Sequence, residues 1–228
     1  MASVVQAVTR NPLRTAQIVL AIISIALSAS ILGTAADTYR VYKQQSSGMN
    51  PWWLPLWPDH FDTSSTPALI GTGAAILILN LVFVVVSLFP RIPIVQSPKL
   101  SGLFTMLVAV PSFLLSLFGI IFAHVLNTHA GGNTQRDTIQ TWTCRFKNAH
   151  PMDGGLEIQS NMSNESFGRL CTESMFSFYG LIPLMVLQFT MIIVALVGWR
   201  QPVLTLPRST GGSKEMDSSR EGTPSDAP

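Results

Sequence analysis

The densest group of side chains able to do chemistry is Asp59, His60 and Asp62, two carboxylates and an imidazole within four residues. Such a trio offers oxygen and nitrogen ligands to a divalent metal, or an acid and a base to an active site on the outer face. No matched further ligand stands nearby, and His124, His129 and His150 are spaced too irregularly for a zinc motif. A solvated turn and ordinary loop histidines are therefore expected, with no catalytic, cofactor or metal site. Cys144 and Cys171 are the two cysteines of the chain. They are read as a disulfide in preference to two free thiols, closing a loop of about 28 residues and removing roughly 3–4 kcal/mol of unfolded-state freedom in the chain-entropy account. Asn161 (Asn-Met-Ser) and Asn164 (Asn-Glu-Ser) are both N-glycosylation sequons. Asn80 and Gln188 are amides inside apolar runs, able to hydrogen-bond between helices for about 0.6–2 kcal/mol each.

The elements that must position these residues follow from a shortage of charge. Charged residues make up 11% of the 228, against about 25% in a typical globular chain. They are excluded from four windows: Thr15 to Ala36, Pro67 to Phe89, Leu100 to Ala123, and Ser174 to Trp199. Roughly 20 apolar residues cross about 30 Å of hydrocarbon as a helix, and each window is long enough. The windows do not alternate in polarity, which argues against a membrane β-barrel. The first is longer than the 7–15 residue core typical of a signal peptide and is read as a retained span. The expected fold class is all-α membrane, a four-helix transmembrane bundle with spans at 15–36, 67–89, 100–126 and 174–199. A net charge of +2 excludes a nucleic-acid binder driven by bulk electrostatics.

Basic residues fix the expected orientation. The arm 1–14, the link 90–99 and the tail 200–228 hold eight Lys and Arg in about 53 positions. The segments 37–66 and 127–173, with the three residues before the latter, hold six in about 80, together with eight of the twelve acids. Both termini are thus expected in the cytoplasm, with Cys144, Cys171 and both sequons on the oxidising side. A secretory-pathway membrane follows, with the plasma membrane as the preferred location.

The first outer loop, 37–66, carries Trp52, Trp53, Trp57 and Phe61 among three prolines. Amphipathic rings collect at the headgroup level, so these tryptophans are expected as interfacial aromatics on a short turn over the bundle. A platform for carbohydrate or lipid headgroups is the sharper alternative. In the second outer loop, 127–173, the run TIQTWTCRF reads as β-compatible, and Asp153-Gly154-Gly155 marks a turn. A small disulfide-pinned outer loop is expected, with a hairpin between residues 138–147 and 156–160 as one form of it. Ser24 with Ser28, Ala29 with Gly33, and Gly71 with Ala75 are expected to allow close helix approach, and Pro111 and Pro183 to kink their spans. The tail, rich in Ser, Thr, Pro and Gly, is expected to be disordered, with hydroxyls open to kinases.

No ionisable group lies in the four windows, whereas membrane enzymes and proton-coupled transporters need charge at that depth. No phosphate loop, HExxH or nucleophile elbow occurs. A non-enzymatic protein that organises membrane or scaffolds a partner is the preferred reading. A small oligomeric channel or transport accessory lined by Ser, Asn80 and Gln188 is the alternative. Expected partners are the lipid bilayer and a membrane protein or further copies of the chain, not nucleic acid.

The elements NPWWLPLWPDHFD, TWTCRF and LCTES, with the spans they precede, resemble an uncharacterised family of four-span membrane proteins from filamentous fungi. The likeness covers most of residues 15–199 and implies architecture without chemistry. Some fungal four-span proteins are encoded beside biosynthetic enzymes, which makes an accessory role in such a cluster a further alternative. A looser likeness joins the chain to MARVEL and tetraspanin-type proteins, which organise membranes. It lacks the tetraspanin Cys-Cys-Gly element and the paired first-loop cysteines of claudin-like proteins.

Overall fold

The computed structural model describes residues 12–46, 57, 62–89, 98–130, 137–147 and 166–200. They form α1 (Pro12–Ser46), α2 (Ser65–Leu88), α3 (Pro98–His129), α4 (Ile139–Phe146), α5 (Phe167–Tyr179) and α6 (Leu181–Arg200). The spans α1, α2, α3 and the joined pair α5–α6 are long and apolar enough to cross a membrane. Among the described residues there is no strand, only an isolated parallel bridge between Asp62 and Thr138.

The distribution of polarity is inside out. Leu103, Leu107 and Phe118 are 63%, 65% and 58% exposed, while Asn80, Gln188, Ser24 and Ser112 are wholly buried. In water this would waste the apolar surface and leave amides in a dry core. In lipid the outer face meets a solvent of its own kind, and an interior amide such as Gln188 can reach a polar side chain of another helix. The chain is a multi-pass membrane protein.

The spans run up and down in a ring. α1 packs against α2 and α5–α6, and α3 packs against α2 and α6, so α1 faces α3 across one diagonal and α2 faces α6 across the other. Two apolar clusters fill the ring. One holds Ile31, Leu69, Ile76, Phe178 and Leu184, and the second holds Ala21, Phe83, Val108, Ala109 and Met191. Four of the buried hydroxyls are satisfied locally: Ser28, Thr105, Ser112 and Ser116 donate to carbonyls one turn earlier on their own helices, at 2.8–3.1 Å.

Glycine placement corrects one expectation. Ala29, Gly33 and Gly71 face outward, and a Cβ on either glycine would meet nothing within 4 Å. The helical period of 3.6 turns them away from the neighbours that Ser24 and Ser28 face. Close approach occurs instead at Gly73, Gly119 and Gly180, where a Cβ would lie 3.6 Å from Leu32, 3.0 Å from Leu181 and 3.0 Å from Ile31. The fourth span breaks into α5 and α6 at Gly180. Pro183 has no N–H for the Tyr179 carbonyl and its ring crowds that carbonyl, which interrupts the ladder three residues after the turn begins. Pro111 sits inside α3, which continues through it.

At the 1.5 Å rise per residue, the 35 residues of α1 reach about 52 Å, well past the hydrocarbon thickness. α1 and the start of α5 therefore extend beyond the apolar windows, and α4 packs on α5 to build a cap whose apolar cluster also takes in Tyr39 and Tyr42 of α1. The segment expected to be β-compatible is a helix. Thr138 accepts from the Thr141 amide at 3.2 Å, and the Thr141 hydroxyl accepts from the Thr138 amide at 2.9 Å. This reciprocal cap starts a turn whose Ile139, Trp142, Thr143 and Phe146 fall at helical spacing, one face toward the cap interior. Residues 156–160, the other arm of the expected hairpin, lie outside the described residues.

Candidate functional site

Among the described residues two places concentrate polar or reactive side chains: the cap and the centre of the bundle. Cys144 of α4 and Cys171 of α5 are joined in a disulfide with Cα atoms 4.8 Å apart. Around it Trp57, Ile139, Phe167 and Leu170 form a buried cluster, with Tyr39, Tyr42, Trp142 and Phe146 packed against it. Trp57 stands edge-on to Tyr42 at 4.9 Å between centroids and 5.3 Å from Phe167. Its indole Nε1 donates to Gln45 Oε1 at 3.2 Å, and Gln45 donates on to Ser166 at 3.3 Å. Trp57, expected as an interfacial aromatic on a turn over the bundle, is 6% exposed and stands at the centre of the cap. The helical overshoot of α1 supplies aromatic neighbours that enclose the ring. Trp52, Trp53, Asn161 and Asn164 lie outside the described residues, as do Asp59, His60, His150 and the tail beyond Arg200.

The cap is clipped to the spans by polar contacts. Asn127 at the end of α3 donates to Gln140 Oε1 at 2.7 Å and accepts from Thr138 Oγ1 at 2.9 Å. The Asp62 amide donates to the Asp137 carbonyl at 3.0 Å. The Asp62 carboxylate accepts from the Ser64 amide at 3.0 Å and from its hydroxyl, which places it at the start of α2 as a turn-forming side chain. His129 Nδ1 lies 2.7 Å from the Val125 carbonyl one turn back. Among the described residues no three His, Cys, Asp or Glu side chains gather as metal ligands.

Where α1 and α5 leave the apolar windows, Arg169 reaches two carboxylates. Its Nε donates to Glu173 Oε1 at 2.7 Å, and its Nη2 donates to Asp37. Below this node Thr34 Oγ1 and Ser177 Oγ are 2.8 Å apart. Arg169 is largely exposed, so the pairs fix the registry of α1 against α5 more than they add stability. The Arg169–Glu173 spacing of four residues is legible in sequence as a helical ion pair; its long-range partner Asp37 is not. At the opposite end Arg14 Nη2 donates to the Ser87 carbonyl at 2.6 Å, covering one of the carbonyls that the last turn of α2 leaves without an internal partner.

At the bundle centre the two expected amides meet. Gln188 Nε2 lies 3.4 Å from Asn80 Oδ1, and Asn80 Nδ2 donates to the Ile76 carbonyl at 2.8 Å. Asn80 belongs to α2 and Gln188 to α6, so the pair crosses the bundle along a diagonal. The position of these amides in the sequence suggested an interhelical bond; the diagonal required the packing order.

The chain matches no family model, no curated protein and no solved structure.

Proposed function

We propose that this multi-pass protein organises membrane or holds a membrane partner, without enzymatic activity, and that its cap faces the lumen or cell exterior with both termini in the cytoplasm. The observation that carries this reading is the folded cap at one end of the bundle, pinned by a disulfide, an ion-pair node and an aromatic core. Such a surface is rigid enough to present a fixed face to a partner. The buried polar side chains of the described residues are hydroxyls and amides, which suit helix packing and offer no charge for ion coupling or bond making. An oligomeric pore lined by Asn80 and Gln188 would need both to face a shared channel, and both are enclosed within one bundle. A secretory-pathway membrane, the plasma membrane foremost, suits a cap stabilised by a disulfide.

Lysine- and cysteine-independent photo-crosslinking, with the probe on the exposed Thr172 of the cap, tests the reading in native membranes. A heterologous membrane protein recovered at one reproducible site is the expected product. Adducts of the chain with itself alone would replace the organiser reading with a homo-oligomer.

A further inference from the structure

Each of the four spans contributes one wholly buried polar side chain to a single layer. On α1 Ser24 falls between Ile31 of one apolar cluster and Ala21 of the other. On α2 Asn80 falls between Ile76 and Phe83, and on α6 Gln188 falls between Leu184 and Met191. On α3 Ser112 falls between Leu115 and Ala109. Contacts between the helices give the same register. Gly180 against Ile31 places Ser24 opposite the turn that carries Gln188, and the Phe113 and Phe189 rings, 5.9 Å apart, set Ser112 beside Gln188. The amides come from one diagonal of the ring and the hydroxyls from the other. The walls from α1 and α3 are short side chains, Ala21, Ser24, Ala109 and Ser112, all buried.

The hydrogen bonds of this layer do not close on themselves. Ser112 spends its proton on the Val108 carbonyl, and Asn80 spends one of its amide protons on the Ile76 carbonyl. Ser24 Oγ and Gln188 Oε1 have no partner, although each is shielded from solvent. The first is a donor as well as an acceptor, and the second is an acceptor only. They sit on adjacent helices at one level and are not bonded directly.

We propose that the layer is a buried binding site for one water molecule, which accepts from Ser24 Oγ and donates to Gln188 Oε1. A single water between a donor and an acceptor satisfies both groups at once, and each would otherwise bear the full desolvation of an unpaired polar atom. The layer is neutral, so a bare cation there would lack any counter-charge in an apolar surround. The site thereby ties α1 to α6 through a molecule that neither helix contains.

The test uses the full chain in lipid nanodiscs. A double-mutant cycle with Ser24→Ala and Gln188→Met reads the unfolding equilibrium. The expected result is about a tenfold loss for Ser24→Ala (about 1.4 kcal/mol), with the double variant no worse than the poorer single variant, because either change releases the same water. A neutral or stabilising Ser24→Ala, or additive losses, would overturn the proposal. A second measurement needs no variant: proton-detected solid-state NMR of the unsubstituted protein should show a water cross-peak to the Gln188 side-chain amide. Absence of that peak overturns the proposal as well. Exchange of sodium for potassium or choline should leave the melting temperature unchanged; a sodium-dependent shift would assign the layer to a cation instead.

Discussion

Single residues in this bundle matter through the face they occupy, and glycine shows it most directly. Gly180 stands where a Cβ would be 2.8 Å from the Phe176 carbonyl and 3.0 and 3.2 Å from the Ile31 side chain. At such distances something must move, and the obstacle is partly backbone. Gly33, within one turn of Ile31 on α1, opens onto empty space. Gly180→Leu should therefore cost about 1–3 kcal/mol, the range for overpacking a well-filled contact. Gly33→Leu should be close to neutral, since the added side chain enters lipid. Thermal melts in one detergent compare the two directly. Equal losses would mean that α1 and α5 do not approach at this point.

The helical elements differ in how far they could be read from sequence. The four spans were legible because length and absence of charge are local properties, and hydrocarbon thickness translates them into helices without any knowledge of packing. The facing of Gly33 and Gly71 was not, because small residues four apart mark a stripe but not the neighbour it meets. Helix α4 is hard to read from sequence for a different reason. Thr, Trp and Cys favour strands on average, and alternation over nine residues competes with helical spacing over the same stretch. The reciprocal Thr138–Thr141 cap and the bond from Cys144 to α5 decide the matter in tertiary context. That dependence gives the cap its own prediction. Replacing Cys144 and Cys171 together by Ala removes a crosslink over a separation of 27 residues, worth roughly 3–4 kcal/mol of unfolded-state restriction. The loss should stay local. Amide exchange should quicken through 139–146 and the start of α5, while the apolar stretches of the spans keep their protection. Quickened exchange throughout the spans would show that the disulfide stabilises the bundle as a whole.

At the scale of the whole molecule, lipid sets the fold and charge sets its direction. The inside-out distribution of polarity leaves the bundle indifferent to which way it is inserted, since both ends of each apolar span are equally at home in hydrocarbon. Direction must then come from the flanks. Eight basic residues flank the cap-distal ends and six lie on the cap side, a bias of two that is small enough to remove. Arg91 and Lys99 are the basic residues of the link 90–99, which joins α2 to α3 and contains no acid. Changing both to Gln equalises the two sides while leaving Arg14 free to cover the Ser87 carbonyl. Lys and Arg near span ends are what the insertion machinery weighs, with acids counting for little. In the proposed orientation Asn161 and Asn164 face the lumen, so the unaltered chain should run on a gel as a species that shifts on glycosidase treatment. The Arg91→Gln, Lys99→Gln variant should divide into shifted and unshifted populations, with the unshifted one cleaved at its cap by protease added on the cytoplasmic side. A chain that carries no glycan in either form, with its cap cleaved from the cytoplasmic side, would invert the orientation and with it the side on which a partner is to be sought.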